Sequence, residues 1–207
     1  MKIIPPSFEV IGTLNGAEML KNIERAGRTC YKSEDLITED SAALFVRRIL
    51  KRGHESVIEH EKISAKIVCD RGVTHEIVRH RIASYSQEST RYCNYAKDKF
   101  GNELTFIRPY FWVESDEKYK LWQQTMQEIE NAYMKLLELG ATPEEARSIL
   151  PNSLKTEIIT TMNLRAWRHF FRLRTDKASH PQMREIARPM LDEFKRLLPV
   201  VFDDITY

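Results

Sequence analysis

RHRIASYSQESTRY, residues 79–92, sets Arg79, Arg81 and Arg91 among Ser84, Ser86, Gln87, Ser89 and Thr90, and offers little that a core could use. Each arginine presents a planar fork of donors that suits phosphate, and the hydroxyls suit a phosphate or a sugar. The stretch therefore reads as an anion site. The plainer alternative is a solvated face whose arginines pair with Glu76, Glu88 and neighbouring acids. Two features weigh against it: acids are outnumbered after residue 76, and the uncharged polar groups of SYSQEST are denser than an amphipathic surface needs.

The flanks of this stretch set the fold class. Upstream, GVTHEIVRHR (72–81) has helical spacing, which is expected to run on into the arginine-rich segment. Before it, EKISAKIVCD alternates Ile63, Ala65, Ile67 and Cys69 with Lys62, Ser64, Lys66 and Val68, the pattern of a strand with one buried face. FEVIGTL near the start, NELTFIRPYF and the β-branched LKTEIITTMN are further strands. Helices are expected over NGAEMLKNIERAGRTC, over TEDSAALFVRRILKRG with Thr38 or Asp40 as cap and Gly53 as stop, and over 115–140 between Ser115 and Gly140. TPEEARSILP, LRAWRHFFRLRT and a last helix from about His180 to Leu198 follow. Helices and strands alternate without strict βαβ spacing. The expectation is an α/β (α+β) domain with a central mixed or antiparallel sheet flanked by helices, formed by residues 1–207 as a single domain.

Bulk composition narrows the class. The 207 residues are 42% hydrophobic and 30% charged, the balance of a soluble globular chain. With 32 basic and 30 acidic residues the net charge is +2, too weak a field for nonspecific nucleic-acid binding, so any basic site is local. No apolar run approaches the ~20 residues of a membrane span, and MKIIPPSFEV lacks the pattern of a leader, which points to the cytoplasm. Cys30, Cys69 and Cys93 form no C-x-x-C pair, so they read as reduced packing residues, with a Cys93 thiolate nucleophile as a minor alternative.

A second cluster, NLRAWRHFFRLR (163–174), places Arg165, Arg168, His169 and Arg172 on one helical stripe and Leu164, Trp167 and Phe171 on another. The first stripe is expected to face a ligand and the second the core; a solvent-facing basic helix is the bland alternative. Trp167, Phe170 and Phe171 read as core rather than as a stacking platform. No metal site is expected, because His54 and His60 are six residues apart and His75 and His80 five, so neither pair shares a helix face at ligand spacing. Neither G-x-x-x-x-G-K-[ST] nor G-x-G-x-x-G occurs, so a bound nucleotide must be held by arginines and helix ends.

RHRIASYSQES fits R-H-R-x7-S, the signature of the flavin-dependent thymidylate synthases. GHESVIEH (53–60) resembles that family's His-[ED]-[ST]-x-x-E-His segment, PEEARSILP (143–151) its Glu-x-x-Arg-x-x-Leu-Pro segment, and NLRAWRHFFRLR its Asn-x-Arg segment. Order and separation match from about residue 10 to 195. The resemblance implies the family's own α/β fold, a homotetramer with sites shared between subunits, and reductive methylation of dUMP to dTMP. It also implies methylenetetrahydrofolate as carbon donor, FAD as redox carrier and NADPH as reductant.

By position, the resemblance makes His54, Ser56, Arg79, His80, Arg81, Gln87, Asn163, Arg165 and His169 flavin contacts. It makes Glu76, Arg79, Gln87, Ser89, Arg91, Arg147 and Arg174 dUMP contacts. Two positions depart from the family: His169 stands where Asn is frequent, and Glu76 where Gln is frequent; a carboxylate accepts from a ribose hydroxyl but repels phosphate. With no cysteine in a nucleophile setting, Arg174 is the expected activator, a fixed cation that stabilises charge developing on uracil N3 and O4. Ser89 lacks an evident general base and is assigned to binding. The rivals are a single-strand nucleic-acid module, which the near-neutral charge disfavours, and a flavoprotein without synthase activity, which Arg147 and Arg174 disfavour.

Overall fold

Ile63, Ala65, Ile67 and Cys69 are all buried, as their alternation requires, and the intervening residues are not. They lie on β3 (Lys62–Asp70), which shares a four-stranded sheet of order β2-β3-β6-β4 with β2 (Ser7–Ile11), β4 (Ala83–Gln87) and β6 (Lys155–Asn163). A separate parallel pair joins β1 (Lys2–Ile4) to β5 (Thr105–Ile107), with Ile3 opposite Phe106. The helices are α1 (Gly16–Thr29), α2 (Ser41–Lys51), α3 (Arg71–Ile77), α4 (Glu117–Glu138), α5 (Pro143–Ala146), α6 (Leu164–Arg174), α7 (Pro181–Leu197) and α8 (Pro199–Phe202). This computed structural model describes residues 1–207. No helix is long and apolar enough to cross a membrane.

The chain divides into two compact units: one of residues 1–8, 67–79 and 85–159, the other of 9–66, 80–84 and 160–207. The first has a core of Tyr95, Leu104, Phe106, Met126, Tyr133, Ala146 and Leu154. The second is built on Trp167, which stacks on Phe171 and meets Phe170 and Phe194 edge-on, while its indole N–H donates to the Ile63 carbonyl at 2.9 Å. Burying such rings is worth about 2–3 kcal/mol each, so these aromatics belong to the core, as their spacing predicted.

Helix ends follow local chemistry. Thr142 and Glu145 cap α5 reciprocally, with Pro143 in its first turn. Gly53 and Gly140 sit just beyond α2 and α4 with φ of +74° and +94°, a left-handed geometry that glycine adopts without a Cβ clash. Asp116, not Ser115, caps α4, its carboxylate accepting from the Lys118 amide. Asp40 occupies the cap position of α2 without a side-chain hydrogen bond; instead the Ser41 hydroxyl accepts from the Thr38 amide.

The expectation that α3 runs on through Arg79 is overturned. Its helix stops at Ile77, the chain turns over Val78–Ile82, and residues 83–87 form a strand. The cause is the polar run itself: Ser84 and Ser86 are exposed while Tyr85 and Gln87 are half-buried, a period of two that a helix cannot satisfy.

Candidate active site

In the second unit, three stretches far apart in sequence are brought side by side. The 3-10 segment Glu55–His60 is tied to α6 by acids that alternate with His54 and Ser56: Glu55 accepts from Arg168 at 3.3 Å and Arg172 at 3.0 Å, and Glu59 from Arg165 at 2.6 Å. His80 packs against the same helix, its ring 5.5 Å from that of His169 and 5.0 Å, edge-on, from that of Phe170. His54, Ser56, Arg81 and His169 are exposed here, and the Arg81 side chain has no ion-pair partner. Asn163 is partly committed, because its side-chain carbonyl caps α6 by accepting from the Ala166 amide at 2.8 Å.

The placement of Arg168 on the ligand-facing stripe is corrected. Arg168 is 1% exposed and satisfied by Asp204 at 2.6 and 2.7 Å, by Glu55 and by the Val201 carbonyl. Helical spacing alone puts it beside Arg165 and Arg172, but Trp167 and Phe171 rotate the buried face far enough to take in position 168, and the two acids make that burial tolerable. Burial works against its charge, yet Asp204 and Glu55 hold its pKa above the ordinary arginine value.

His80 accepts a hydrogen bond at Nε2 from Arg174 Nε at 2.9 Å. Burial first, then the charges of Arg174 and His169, push its pKa down from 6.5 to about 4. At neutral pH it is an uncharged imidazole.

The first unit gathers the remaining candidates. Gln87 donates to the hydroxyls of Thr74 at 3.0 Å and Thr156 at 3.2 Å, which fixes the end of β4 against α3 and β6. Beyond it, Glu88 is not an arginine partner: it accepts from Tyr95 at 2.8 Å and Lys155 at 3.0 Å, and Lys155 also reaches Glu157 at 2.6 Å. This network anchors the turn that carries Ser89, whose hydroxyl accepts from the Arg91 amide at 3.3 Å. Arg91 pairs with Glu144 at 3.3 Å and lies over the Tyr92 ring, which brings α5 and Arg147 to the same turn. Arg79 and Arg147 are exposed with no side-chain partner, whereas Glu76 is half-buried and engaged.

The pairing of Arg165, Arg168 and Arg172 with Glu55 and Glu59 escaped sequence reasoning. The signal was present, since acids four apart in HESVIEH complement basic residues three and seven apart in α6. Lys155 and Ile82 were missed as well. Ile82 has φ of +66° and is 82% exposed, an outlier for a β-branched residue, and it immediately follows Arg81. Burial and Glu88 raise the Cys93 thiol pKa, which disfavours the thiolate a nucleophile needs. Two clefts, of about 560 Å³ near Ile3, Arg108 and Tyr119 and about 370 Å³ near Arg47, Pro199 and Asp204, are not lined by any of the expected flavin or dUMP residues.

Basic, imidazole and hydroxyl groups gather in each unit, on an α/β scaffold without a phosphate loop, and the family model that the chain matches is Thy1. The chain belongs to that family, described as thymidylate synthase complementing protein, and matches its model over residues 10–200. It is 40% identical to the flavin-dependent thymidylate synthase of Pyrococcus furiosus over 171 residues, 82% of this chain and 69% of that protein. It is 36% identical to the enzyme of that name from Geobacter sulfurreducens over 187 residues, 86% of this chain and 78% of that protein. The crystal structure of the UMP/dUMP methylase PolB from Streptomyces cacaoi, bound with 5-Br dUMP, superposes with a TM-score of 0.79 at 24% identity, covering 98% of this chain and 96% of that one. The fold is the same.

Proposed function

We propose that this chain is a methyltransferase that converts dUMP to dTMP reductively, with methylenetetrahydrofolate as carbon donor, FAD as redox carrier and NADPH as reductant, releasing tetrahydrofolate. The observation that carries the reading is the distribution of charge partners. Glu55, Glu59, Glu88 and Glu144 are taken by Arg168 and Arg172, Arg165, Lys155 and Arg91 respectively, which leaves Arg79, Arg81 and Arg147 as exposed cations for phosphate.

The donor set of the second unit fits a flavin. His54, Ser56, Arg81 and His169 present exposed donors suited to a pyrophosphate and to ring acceptors, and Asn163 and Arg165 border them. FAD, when bound, supplies the hydride chemistry that amino-acid side chains lack. In the first unit, Arg79, Ser89, Arg91 and Arg147 bind the phosphate and sugar of dUMP, Gln87 presents its amide from a fixed position, and Glu76 accepts from a ribose hydroxyl. Arg174 stabilises negative charge on uracil N3 and O4, which raises nucleophilicity at C5 without an enzyme cysteine. The protein orients the reactants and excludes water.

Tritium release from [5-³H]dUMP is the test. Release that requires FAD, methylenetetrahydrofolate and NADPH together supports the reading; a yellow protein that releases none overturns the substrate assignment and leaves a flavoprotein. The family reading also gives a homotetramer with shared sites, with residues 1–207 acting as one functional domain; light scattering that returned the mass of a single chain would count against the tetramer.

A further inference from the structure

We propose that His80 is a positioning residue for Arg174: its Nε2 lone pair holds the guanidinium in the orientation that activation of the pyrimidine requires. The inference rests on the proposed dUMP methylation but goes beyond it, because it gives the signature histidine, which the resemblance makes a flavin contact, a task on the arginine as well.

The geometry points to it in three ways. Arginine has no acceptor, so the 2.9 Å contact between Arg174 Nε and His80 Nε2 has one possible direction, with the arginine donating. The imidazole must then be neutral and carry its proton on Nδ1. Second, the ring has little freedom. His80 is 6% exposed, Phe170 meets it edge-on at 5.0 Å, and His169 lies 5.5 Å away. Phe170 and Arg174 are four residues apart on α6 and share a face, so the residue that packs the ring and the residue that receives its lone pair belong to one rigid surface. Third, Arg174 sits in the last turn of α6, and a contact at Nε fixes one edge of its planar guanidinium and so bears directly on where the other donors point. A cation that must face a developing charge loses its effect when it is free to turn away.

Placement explains why a histidine is used. It is uncharged beside a guanidinium, so it adds no ion pair that would neutralise the cation, as a carboxylate would. It still offers a directional acceptor.

The test compares His80→Leu, which removes the acceptor, with His80→Gln, whose side-chain carbonyl restores one. Flavin occupancy is read from the visible flavin band, dUMP affinity by equilibrium dialysis, turnover by tritium release, and the Arg174 Nε–H by nitrogen-15 NMR. In His80→Leu, kcat is expected to fall by about 10²–10³, the loss typical of a displaced transition-state donor. That fall is counted per bound flavin, since the resemblance also makes His80 a flavin contact, and dUMP affinity should stay within about threefold. His80→Gln should recover at least a tenth of the lost turnover. The Arg174 Nε–H resonance should move upfield and exchange faster in the leucine variant, and stay near its wild-type position in the glutamine variant.

Loss of flavin with unchanged turnover per bound flavin would overturn the proposal, as would equal damage in both variants or an Nε–H signal indifferent to position 80. If the wild-type protein releases no tritium, it is the dUMP reading that fails; the NMR comparison still decides whether His80 holds Arg174. Should His80→Leu fail to fold, the glutamine variant and the wild-type resonance carry the decision.

Discussion

Arg168 and Asp204 form a two-pronged ion pair, Nη1 to Oδ1 at 2.6 Å and Nη2 to Oδ2 at 2.7 Å, around a guanidinium that is fully buried. Glu55 closes the other side at 3.3 Å. Arg168→Leu strands two carboxylates near one another and is expected to cost about 3–5 kcal/mol in urea unfolding. Asp204→Ala should cost nearer 1 kcal/mol, since the Asp204 side chain is 58% exposed and Glu55 remains. Equal costs for the two changes would show that Arg168 does not depend on Glu55.

Ile82 is expected to be a place where stability and activity diverge. A left-handed φ in a β-branched residue costs about 1–2 kcal/mol, and a side chain this exposed returns almost nothing by burial. Ile82→Gly should therefore raise stability by about 0.5–1 kcal/mol after the entropy of glycine is counted. It should also lower turnover, because the turn that aims Arg81 becomes loose. A variant that is less stable would show that the conformation carries no strain.

Arg91 and Glu144 predict effects of opposite sign. Glu144 competes with any phosphate for the Arg91 guanidinium, and both side chains are largely exposed, so the pair itself adds little stability. Arg91→Ala is expected to raise the dUMP dissociation constant by one to two orders of magnitude. Glu144→Gln should lower it severalfold, with the melting temperature almost unmoved. Isothermal titration with dUMP reads both.

Acid should destabilise the chain in a defined window. His80 has a folded pKa of about 4 against 6.5 unfolded, with Arg174 and His169 the charged and titratable groups that face it. Above pH 6.5 both states are neutral there and the full stability is present. As pH falls from 6.5 towards 4 the unfolded chain takes up a proton that the folded chain refuses, so stability declines, and the decline from this group ends below about 4. Asp204, whose pKa Arg168 lowers, extends the loss further into acid. Unfolding midpoints measured across this range should slope accordingly, and His80→Gln should flatten the upper part of the curve.

The flavin and activator residues should separate cleanly. His54→Ala and His169→Ala remove exposed donors and are expected to release flavin on gel filtration while dUMP affinity holds. Arg174→Ala should keep its colour and lose turnover. Unchanged flavin content in both histidine variants would remove the proposed cofactor pocket.

Much of this was legible in the chain. Period-two alternation gave β3, β-branched content gave β6, and apolar spacing gave α1, α2, α4, α6 and α7, because those patterns are set by neighbours close in sequence. The turn at Val78–Ile82 was not, since helical spacing in GVTHEIVRHR competes with the alternation that begins at Ala83, and only pairing in the sheet decides between them. Arg168 was misread for a related reason. Whether an arginine on a helix faces solvent or core depends on an acid that can meet it, and Asp204 lies 36 residues away. The charge complementarity of HESVIEH and α6 was there to be read, though its geometry was not.

Strands β2, β3, β4 and β6 each begin in one compact unit and finish in the other. Neither unit is thus a continuous length of polypeptide, and each is assembled from three separate stretches. No single cut liberates either as a self-sufficient fragment, and a protease that nicks β3 or β6 severs both. Ribosomal synthesis cannot complete the first unit until residue 159 has emerged, by which point most of the second has been made. Such non-local pairing slows folding and favours all-or-none behaviour. A truncation meant to isolate the flavin residues or the nucleotide residues should give insoluble protein rather than half an enzyme.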